Sequence, residues 1–380
     1  GQYTLNLRAN NAGGIIQTGA GTFVANDVSF DGKGGALLLT SANIGTLRFN
    51  VGTTVDITNN SAAAITIDGM PTTTVSNVGT SFTLTSNKDV LMANTATVNF
   101  TGATKSGSVQ AVLSALNLGN GTPLVFTTTS GATTLDLNIT NSPTNVNIES
   151  DFGINMLAGV TAANNLTFHT TTMTNNFALG ATAGVLTLDN ANRAGVAINN
   201  ANFAMTGTGT LSAPVIAFNT VNDGAANGTD FSVTQSAIAN GAGYIQGDVK
   251  GNFTLNATGN QTAITIGNTG AAALLQSGKG MDLRFHNGPA GKFDLVLDNT
   301  LTSNGLTRVT LDLGDLNIGI NGGKAAINAG AGNQVTMTAS AGSITGNLQT
   351  LVGTLNGAAL GAATLTNPFN PADVTTYLNV

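Results

Sequence analysis

Short segments of alternating polarity recur along the whole chain. An apolar β-branched or aromatic residue returns about every eight to ten residues, against a background of Gly, Asn, Thr, Ser and Ala. The first of these anchors are Leu7, Ile16, Val24, Phe30, Leu39, Phe49, Ile57, Ile67, Val75, Leu84, Met92 and Phe100. Period-two alternation is typical of a strand with one buried face. Many short, evenly spaced strands with no helical pattern between them predict a sheet that coils on itself.

Turn residues separate the segments, as in the Asn and Gly residues of 10–14 and the Asn-Asn-Ser of 59–61. Gly and Asn tolerate positive φ angles, so they suit the corners between strands. Stacked Asn or Thr side chains can also form hydrogen-bonded ladders along the coil axis. The predicted fold is therefore all-β: a right-handed parallel β-helix (β-solenoid), an elongated rod with two anchors and about 20 residues in each coil.

One motif predicts which side chains form the core. Leu47-Arg48-Phe49 reappears as Leu283-Arg284-Phe285, and in both copies Leu and Phe share one face while Arg takes the other. The residues predicted to point inward are Leu5, Leu7, Leu37, Leu39, Leu47, Phe49, Ile65, Ile67, Leu283 and Phe285. Arg48 and Arg284 are predicted to point outward, and an exposed Phe49 would mean a register slip of one residue.

The pattern runs through residues 1–365, which we predict to form one continuous solenoid. Residues 366–380 contain two prolines and change composition, so they are predicted to form an irregular tail or cap. Residues 105–118 contain an apolar run that predicts a helical turn or a loop excursion. Residues 221–230 are predicted to form a longer loop.

Composition excludes several classes of protein. With 41% apolar residues and a net charge of −6, the chain is not typical of disordered proteins. It has no cysteine, hence no disulfide framework or thiolate metal site. No apolar run approaches the length of a membrane-spanning helix.

The 12 Lys and Arg residues of the chain are scattered, which argues against a nucleic-acid partner. Only 8% of residues are charged, a composition that fits an extracellular or bacterial cell-surface protein.

The histidines are poor candidates for chemistry. His169 and His286 are the only two, and each follows a predicted strand. A catalytic or metal-binding pair would need to lie about one coil apart, whereas these are 286 − 169 = 117 residues apart. We predict that both are surface residues of strands.

Two carboxylate pairs deserve comparison with β-helix enzymes that cut acidic polysaccharides. Such enzymes hold a cation on carboxylates beside a basic group. Glu149 with Asp151, and Asp312 with Asp315, are the closest pairs, and neither has Lys or Arg beside it in sequence. Two carboxylates are also fewer than a calcium shell normally uses. We therefore predict no enzyme and no catalytic, cofactor-binding or metal-ligating residue, with a polysaccharide-active enzyme as a third alternative for function.

Three segments near the amino end carry a family resemblance. They are Gly14–Ala20 (GIIQTGA), Gly34–Thr40 (GGALLLT) and Asn43–Leu47 (NIGTL), and looser variants occur at Lys250–Ala257 and Met337–Ile344. They resemble the repeats of filamentous-haemagglutinin-like large exoproteins, the passenger proteins of two-partner secretion. The clearest match covers about the first 70 residues. The resemblance implies a right-handed parallel β-helix within a long adhesin and brings no catalytic residues. The chain lacks the family's secretion-domain signatures, which favours a shaft segment or a shorter protein with the same coil.

The expected function is that of a structural and adhesive rod in a bacterial surface or secreted adhesin, with roles in cell adhesion and biofilms. The expected partners are the surface of a host or neighbouring cell and a matrix glycan or protein. The alternative is a self-assembling subunit of an extracellular filament or surface layer. In that case the tail segment Val374–Leu378 would add a strand to a neighbouring copy, and would cover its amino-terminal coil.

Overall fold

The computed structural model describes residues 4–112 without interruption. From residue 113 onwards it describes the strands given below and the connections at 116, 119, 122–123, 129, 141, 143–144, 151, 162, 164, 213–214, 220, 243, 250–252 and 278–279. For the strands after Arg284 the description covers the backbone. The chain divides into two compact units, residues 1–179 and 180–380, and each is considered by itself.

Every regular element in the described part of the first unit is a strand. The strands are β1 (Leu5–Arg8), β2 (Ile15–Ile16), β3 (Phe23–Gly32), β4 (Leu37–Val51), β5 (Thr54–Asn59), β6 (Ile65–Ile67), β7 (Val75–Val78), β8 (Ser81–Ser86), β9 (Val90–Met92), β10 (Thr97–Phe100), β11 (Ser106–Ala111), β12 (Asn117–Leu118), β13 (Leu124–Thr128), β14 (Thr134–Thr140), β15 (Asn145–Ser150), β16 (Gly153–Met156), β17 (Val160–Thr161), β18 (Asn165–Thr170) and β19 (Thr174–Phe177).

The second unit has the same character as far as it is described. Its strands are β20 (Gly180–Thr182), β21 (Val185–Asn190), β22 (Asn202–Thr206), β23 (Thr210–Ser212), β24 (Val215–Asn219), β25 (Asp230–Gln235), β26 (Ala237–Ala239), β27 (Tyr244–Val249), β28 (Phe253–Asn260), β29 (Ala263–Ile266), β30 (Leu275–Ser277), β31 (Met281–His286), β32 (Phe293–Leu297), β33 (Leu301–Ser303), β34 (Val309–Leu313), β35 (Leu316–Gly319), β36 (Ala326–Asn328), β37 (Gln334–Ala339), β38 (Ile344–Asn347), β39 (Thr350–Val352), β40 (Thr354–Ala359), β41 (Ala363–Thr366) and β42 (Leu378–Asn379).

The strands pair in parallel, in many places with the strand three places further along the chain, whereas β13 and β14 pair with β15 and β16, two places further along. In the first unit, β5, β6 and β7 pair with β8, β9 and β10 respectively. In the second, β30, β31 and β32 pair with β33, β34 and β35. The all-β class and the parallel pairing are thus as predicted, and they are compatible with a β-helix or solenoid. Within the described ranges, no helix is long and apolar enough to cross a membrane.

Coil length varies more than the sequence pattern predicts. Side chains that hydrogen-bond between stacked strands lie from 19 residues apart, for Asn50 and Asp31, to 30 apart, for Thr127 and Thr97. The predicted length of about 20 residues is confirmed for some coils, as between Asp31 and Asn50, and is wrong for others. A third side and a third corner lengthen the sequence interval between stacked residues, as between β5 and β8.

The core contains an aligned series of apolar side chains. Phe49 and Phe82 stack with their ring centroids 5.6 Å apart, and Phe126 follows 6.2 Å from Phe82. In the second unit, the Phe218 and Phe253 rings lie 5.5 Å apart. All five side chains are fully buried. Aromatic pairs at these separations stabilise a fold beyond the effect of area burial alone.

Most of the predicted inward residues are buried. Those confirmed are Leu37, Leu39, Leu47, Phe49, Ile65, Ile67 and Leu283. Leu5 is 43% exposed, so that prediction is wrong, and Leu7 is half-buried. β1 pairs with β3 on one side, and no described strand packs over its other side to cover Leu5. The Phe285 side chain lies outside the described residues.

Three apolar anchors outside the predicted inward set are not fully buried. Ile16 is 50% exposed and Val24 67% exposed. Val75 is half-buried, and the neighbouring Ser76 takes the fully buried position instead. Ser76 is tolerated there because its hydroxyl accepts a hydrogen bond from the Phe49 amide at 3.0 Å and donates to the Asp68 carbonyl at 2.6 Å.

Residues 106–111 and 117–118 form strands rather than the predicted helical turn or loop, and residues 113–115 lie outside the described residues. β11 lies between β8 and β14, in parallel register with both. Val109 is buried opposite Leu84 and Ile139. Pairing on both sides overrides the local apolar run, because strand formation depends strongly on neighbouring strands. A longer loop was predicted at 221–230, and residues 221–229 of it lie outside the described residues. In the tail, β42 pairs in parallel with β40.

Corners of the coil are closed by buried polar side chains. β4 pairs with β5, then with β6 and then with β7, so it follows three sides of the next coil. At the first of these corners, the Asn59 amide is fully buried and bridges the backbone of Ile44. The Ile44 N–H donates to Asn59 Oδ1 at 2.8 Å, and Asn59 Nδ2 donates to the Ile44 carbonyl at 3.2 Å. The side chain thus replaces the missing strand partner.

Candidate functional site

Arg48 lies on the outer face of β4. Its neighbours Leu47 and Phe49 are fully buried, so the alternation of the strand turns Arg48 away from the core, as predicted. The Arg48 side chain is nevertheless only 15% exposed. Carboxylates from adjacent coils cover it. The outward prediction for Arg284 is also confirmed: this side chain is 50% exposed and its guanidinium is 2.7 Å from the Asp282 carboxylate.

The Arg48 guanidinium joins two other coils. Its Nη2 and Nε atoms donate to Asp68 Oδ2 at 2.7 and 3.1 Å, and Nη1 donates to Asp27 Oδ1. Thr4 Oγ1 donates to the other oxygen of Asp27 at 3.1 Å. Hydrogen bonds between charged groups are strong and directional, so this network holds the guanidinium in one orientation. Two carboxylates against one guanidinium leave the network with a net negative charge.

The loop after β6 is closed by its own hydrogen bonds. The Gly69 amide donates to Asp68 Oδ1 at 2.8 Å, and the Thr73 amide donates to the Met70 carbonyl at 2.8 Å. Pro71 occupies the second position of that turn, where its restricted φ angle is favourable. A Cβ atom at Gly69 would lie 2.3 Å from the carbonyl carbon of Thr74, so only glycine fits. The loop therefore has a defined shape.

This loop and the Arg48 network enclose a pocket of about 310 Å³, which we call the Arg48 pocket. The polar groups on its wall are those of Arg48, Asp68, Thr4, Thr73, Thr74 and Thr95. These groups include strong donors, a carboxylate acceptor and hydroxyls that can act as either.

Another part of the pocket wall is apolar. Met70, Pro71 and Ala96 contribute it. Thr95, beside Ala96, has a φ angle of 67°, which is rare for a β-branched residue. The Ala96 amide donates to the Ala93 carbonyl at 3.0 Å and closes this turn. A strained conformation of this kind persists only where the surrounding structure enforces it, and such positions concentrate at functional sites.

A second ordered feature of the outer face is a ladder of amide side chains. Asn165 Nδ2 donates to Asn145 Oδ1 at 3.1 Å, and Asn145 Nδ2 donates to Asn117 Oδ1 at 2.6 Å. Asn117 in turn donates to Asp89, from Nδ2 and from its backbone amide, each at 3.0 Å. This confirms that stacked Asn side chains form ladders along the coils. We call these four residues the asparagine ladder.

The carboxylates and histidines considered from sequence are only partly brought together. Glu149 on β15 pairs in register with His169 on β18, so the two are neighbours in adjacent coils. Asp151 follows β15, and its amide donates to the Phe126 carbonyl at 3.0 Å. Sequence reasoning missed the pairing of Glu149 with His169, although their separation of one coil is the signal that could have found it.

The remaining candidates provide no site that can be described. The side chains of His286, Asp312 and Asp315 lie outside the described residues. Among the side chains that are described, no three or more His, Asp or Glu residues are grouped so that they could hold a metal ion.

Sequence reasoning also missed the Arg48 pocket. The signal is present, because Asp27 and Asp68 lie 21 and 20 residues from Arg48, which is about one short coil on either side. Charged residues are rare in this chain, so three at coil spacing form a recognisable pattern. The pocket itself depends on the shape of the loop after β6, which the spacing does not reveal.

Comparison with known proteins gave no match to the chain, whether among family models, curated proteins or solved structures. The resemblance to haemagglutinin-like exoproteins is therefore a hypothesis that rests on the sequence segments alone.

Proposed function

We propose that the chain is a structural and adhesive rod segment of a bacterial cell-surface or secreted adhesin. The observation that carries this proposal is the parallel, in-register stacking of strands from successive coils, as in the pairing of β5 with β8 and of β8 with β11. Stacking of this kind extends in one direction and places outer-face side chains at regular intervals. Such a scaffold suits the display of binding groups at a distance from a cell.

The outer face supports the same proposal. The asparagine ladder and the Arg48 network tie successive coils together through side chains as well as through the backbone. Such ties resist shear between coils, which an adhesive rod under load must withstand. The sequence segments that resemble exoprotein repeats, such as Gly34–Thr40, lie in the same part of the chain as the Arg48 network.

An adherence assay tests this proposal. Beads coated with the purified chain should bind bacterial or epithelial cells, or matrix-coated surfaces, more strongly than albumin-coated beads, and the soluble chain should compete. Beads coated with the heat-unfolded chain control for non-specific stickiness. Equal binding by folded chain, unfolded chain and albumin on all three surfaces would refute the proposal.

The alternative function is a self-assembling subunit of a filament or surface layer. The observation that favours it is the exposure of Leu5, Ile16 and Val24 in the first coils, at 43%, 50% and 67%. Exposed apolar side chains beside a strand edge are suited to stacking against another coil. Strand addition by the tail to a neighbouring copy is less well supported, because Leu378 pairs with Leu355 of the same chain.

Sedimentation velocity over a range of concentrations separates the two functions. A filament subunit should form larger species as the concentration rises, and Val24→Lys should abolish them while deletion of residues 366–380 should not. Loss of the larger species on deletion would instead identify the tail as the connecting strand. A chain that remains monomeric at all concentrations would exclude the filament subunit and leave the rod.

A further inference from the structure

We propose that the Arg48 pocket binds one neutral monosaccharide residue of a glycan, an inference that rests on the adhesive function proposed above. The volume of about 310 Å³ lies at the lower limit of ligand sites, which range from roughly 300 to 1,000 Å³. A pocket of this size accommodates a single sugar ring and excludes folded partners and long peptides.

The polar wall matches the chemistry of sugar hydroxyls. A hydroxyl both donates and accepts hydrogen bonds, so its partners must include both kinds of group. Asp68, which is 31% exposed, supplies an acceptor, and the guanidinium of Arg48 supplies donors beyond those bound to the carboxylates. The hydroxyls of Thr74 and Thr95 can supply either, whereas the Thr73 hydroxyl already donates to the Val75 carbonyl at 3.2 Å.

The pocket is held in shape before a ligand arrives. Arg48 is fixed by Asp27 and Asp68, and the loop after β6 is closed by its internal hydrogen bonds. Binding therefore requires little ordering of side chains, and this lowers its entropic cost. The apolar groups of Met70 and Pro71 offer a surface for the C–H face of a sugar ring.

Charge decides which sugars fit. Asp27 and Asp68 already surround Arg48, so the network carries a net negative charge and has no free cation to receive an anion. A uronic acid, a sialic acid or a phosphorylated sugar would meet like charge, which is unfavourable across an interface. The pocket is therefore assigned to a neutral hexose or N-acetylhexosamine residue.

Titration of the full chain with simple glycosides tests the assignment. The probes are the methyl glycosides of glucose, galactose, mannose and N-acetylglucosamine, with methyl glucuronide as the acidic comparison, followed by saturation-transfer NMR and calorimetry. At least one neutral glycoside should bind saturably in the millimolar range, and the glucuronide should bind at least tenfold more weakly. Failure of every neutral glycoside, or preference for the glucuronide, would overturn the assignment.

Substitutions inside and outside the Arg48 pocket test whether the glycoside binds there. Asp68→Asn and Thr74→Val should each weaken glycoside binding about tenfold at nearly constant shape, because the first replaces a carboxylate oxygen by an NH2 group that cannot accept and the second removes a hydroxyl. Asp56→Asn and Thr83→Val, on the outer faces of β5 and β8 and away from the pocket, are the matched controls and should bind normally. If Asp68→Asn disturbs folding as judged by circular dichroism, Thr74→Val decides. Equal binding by Thr74→Val and Thr83→Val would overturn the location.

The two proposals can fail separately. If coated beads adhere but Thr74→Val adheres equally and no neutral glycoside binds, the pocket assignment is wrong and the adhesive function stands. If a neutral glycoside binds in the pocket but the beads do not adhere to any cell or matrix surface, the adhesive function is wrong and the pocket is a sugar site of other purpose.

Discussion

Replacing Asn59 by alanine should destabilise the first unit far more than its single lost amide group suggests. Asn59 is fully buried, and it provides both hydrogen-bond partners of the Ile44 backbone at the corner of β4. Ile44 is itself fully buried, so water does not reach these groups in the native packing. Each buried backbone group left without a partner costs about 1–3 kcal/mol. The expected loss in the free energy of unfolding for the two groups is therefore about 2–6 kcal/mol.

The matched control is Asn60→Ala, one residue further along the chain. The Asn60 side chain is exposed, and its backbone hydrogen bond to Ala42 is retained in alanine. Its effect should stay within about 0.5 kcal/mol. Asn59→Asp separates the two bonds: it keeps the acceptor for the Ile44 N–H but loses the donor to the Ile44 carbonyl and buries a charge. It should therefore destabilise the fold at least as much as alanine does.

Urea unfolding and hydrogen exchange of the Ile44 amide provide the assay. In the wild-type chain this amide should be protected to the same degree as the ladder amides of β4. In Asn59→Ala it should exchange much faster than in Asn60→Ala. The reasoning is refuted if the two alanine variants unfold at the same urea concentration with equal protection of Ile44, because the corner amide would then contribute nothing.

Three further substitutions test other parts of the structure. Phe49→Ala should lower the free energy of unfolding by about 3–5 kcal/mol, measured by urea unfolding, since the ring is fully buried and stacks on Phe82. Burial lowers the pKa of Lys105 below its ordinary value of 10.5. At pH values between the lowered pKa and 10.5, the Lys105 side chain is protonated in the unfolded chain and neutral in the folded chain. The free energy of unfolding should therefore rise with pH through that range, and Lys105→Met should remove this rise. Asn145→Asp should destabilise the fold more than Asn145→Ala in thermal unfolding at pH 7, because a carboxylate cannot donate to Asn117 and would face its amide oxygen instead.

Local alternation was sufficient to predict much of the core. Residues such as Leu37, Leu47 and Phe49 are buried because a strand with period two has one inner face, and that property depends on neighbours in sequence alone. The same argument placed Arg48 on the outer face. Ladders of Asn side chains were also predictable, because stacked parallel strands bring identical positions together.

Pairing between distant segments could not be predicted in the same way. Whether a coil has two or three strands depends on which corner brings the chain back over itself, and the spacing of anchors is similar in both cases. Val109 lies in a run that looks helical on its own, and it is a strand residue only because β8 and β14 flank it. The Arg48 pocket depends on the closed loop at Gly69, which leaves little signal in the sequence.

The asparagine ladder gives the stack of coils a direction. Each amide hydrogen is donated toward lower residue numbers, from Asn165 to Asn145, to Asn117 and finally to Asp89, which has only acceptors in its side chain. Each of these Asn side chains therefore finds its acceptor within the protein on the coil that precedes it. Because the donors all point the same way along the stack, we expect this part of the chain to fold from the Asp89 side and to open from the Asn165 side.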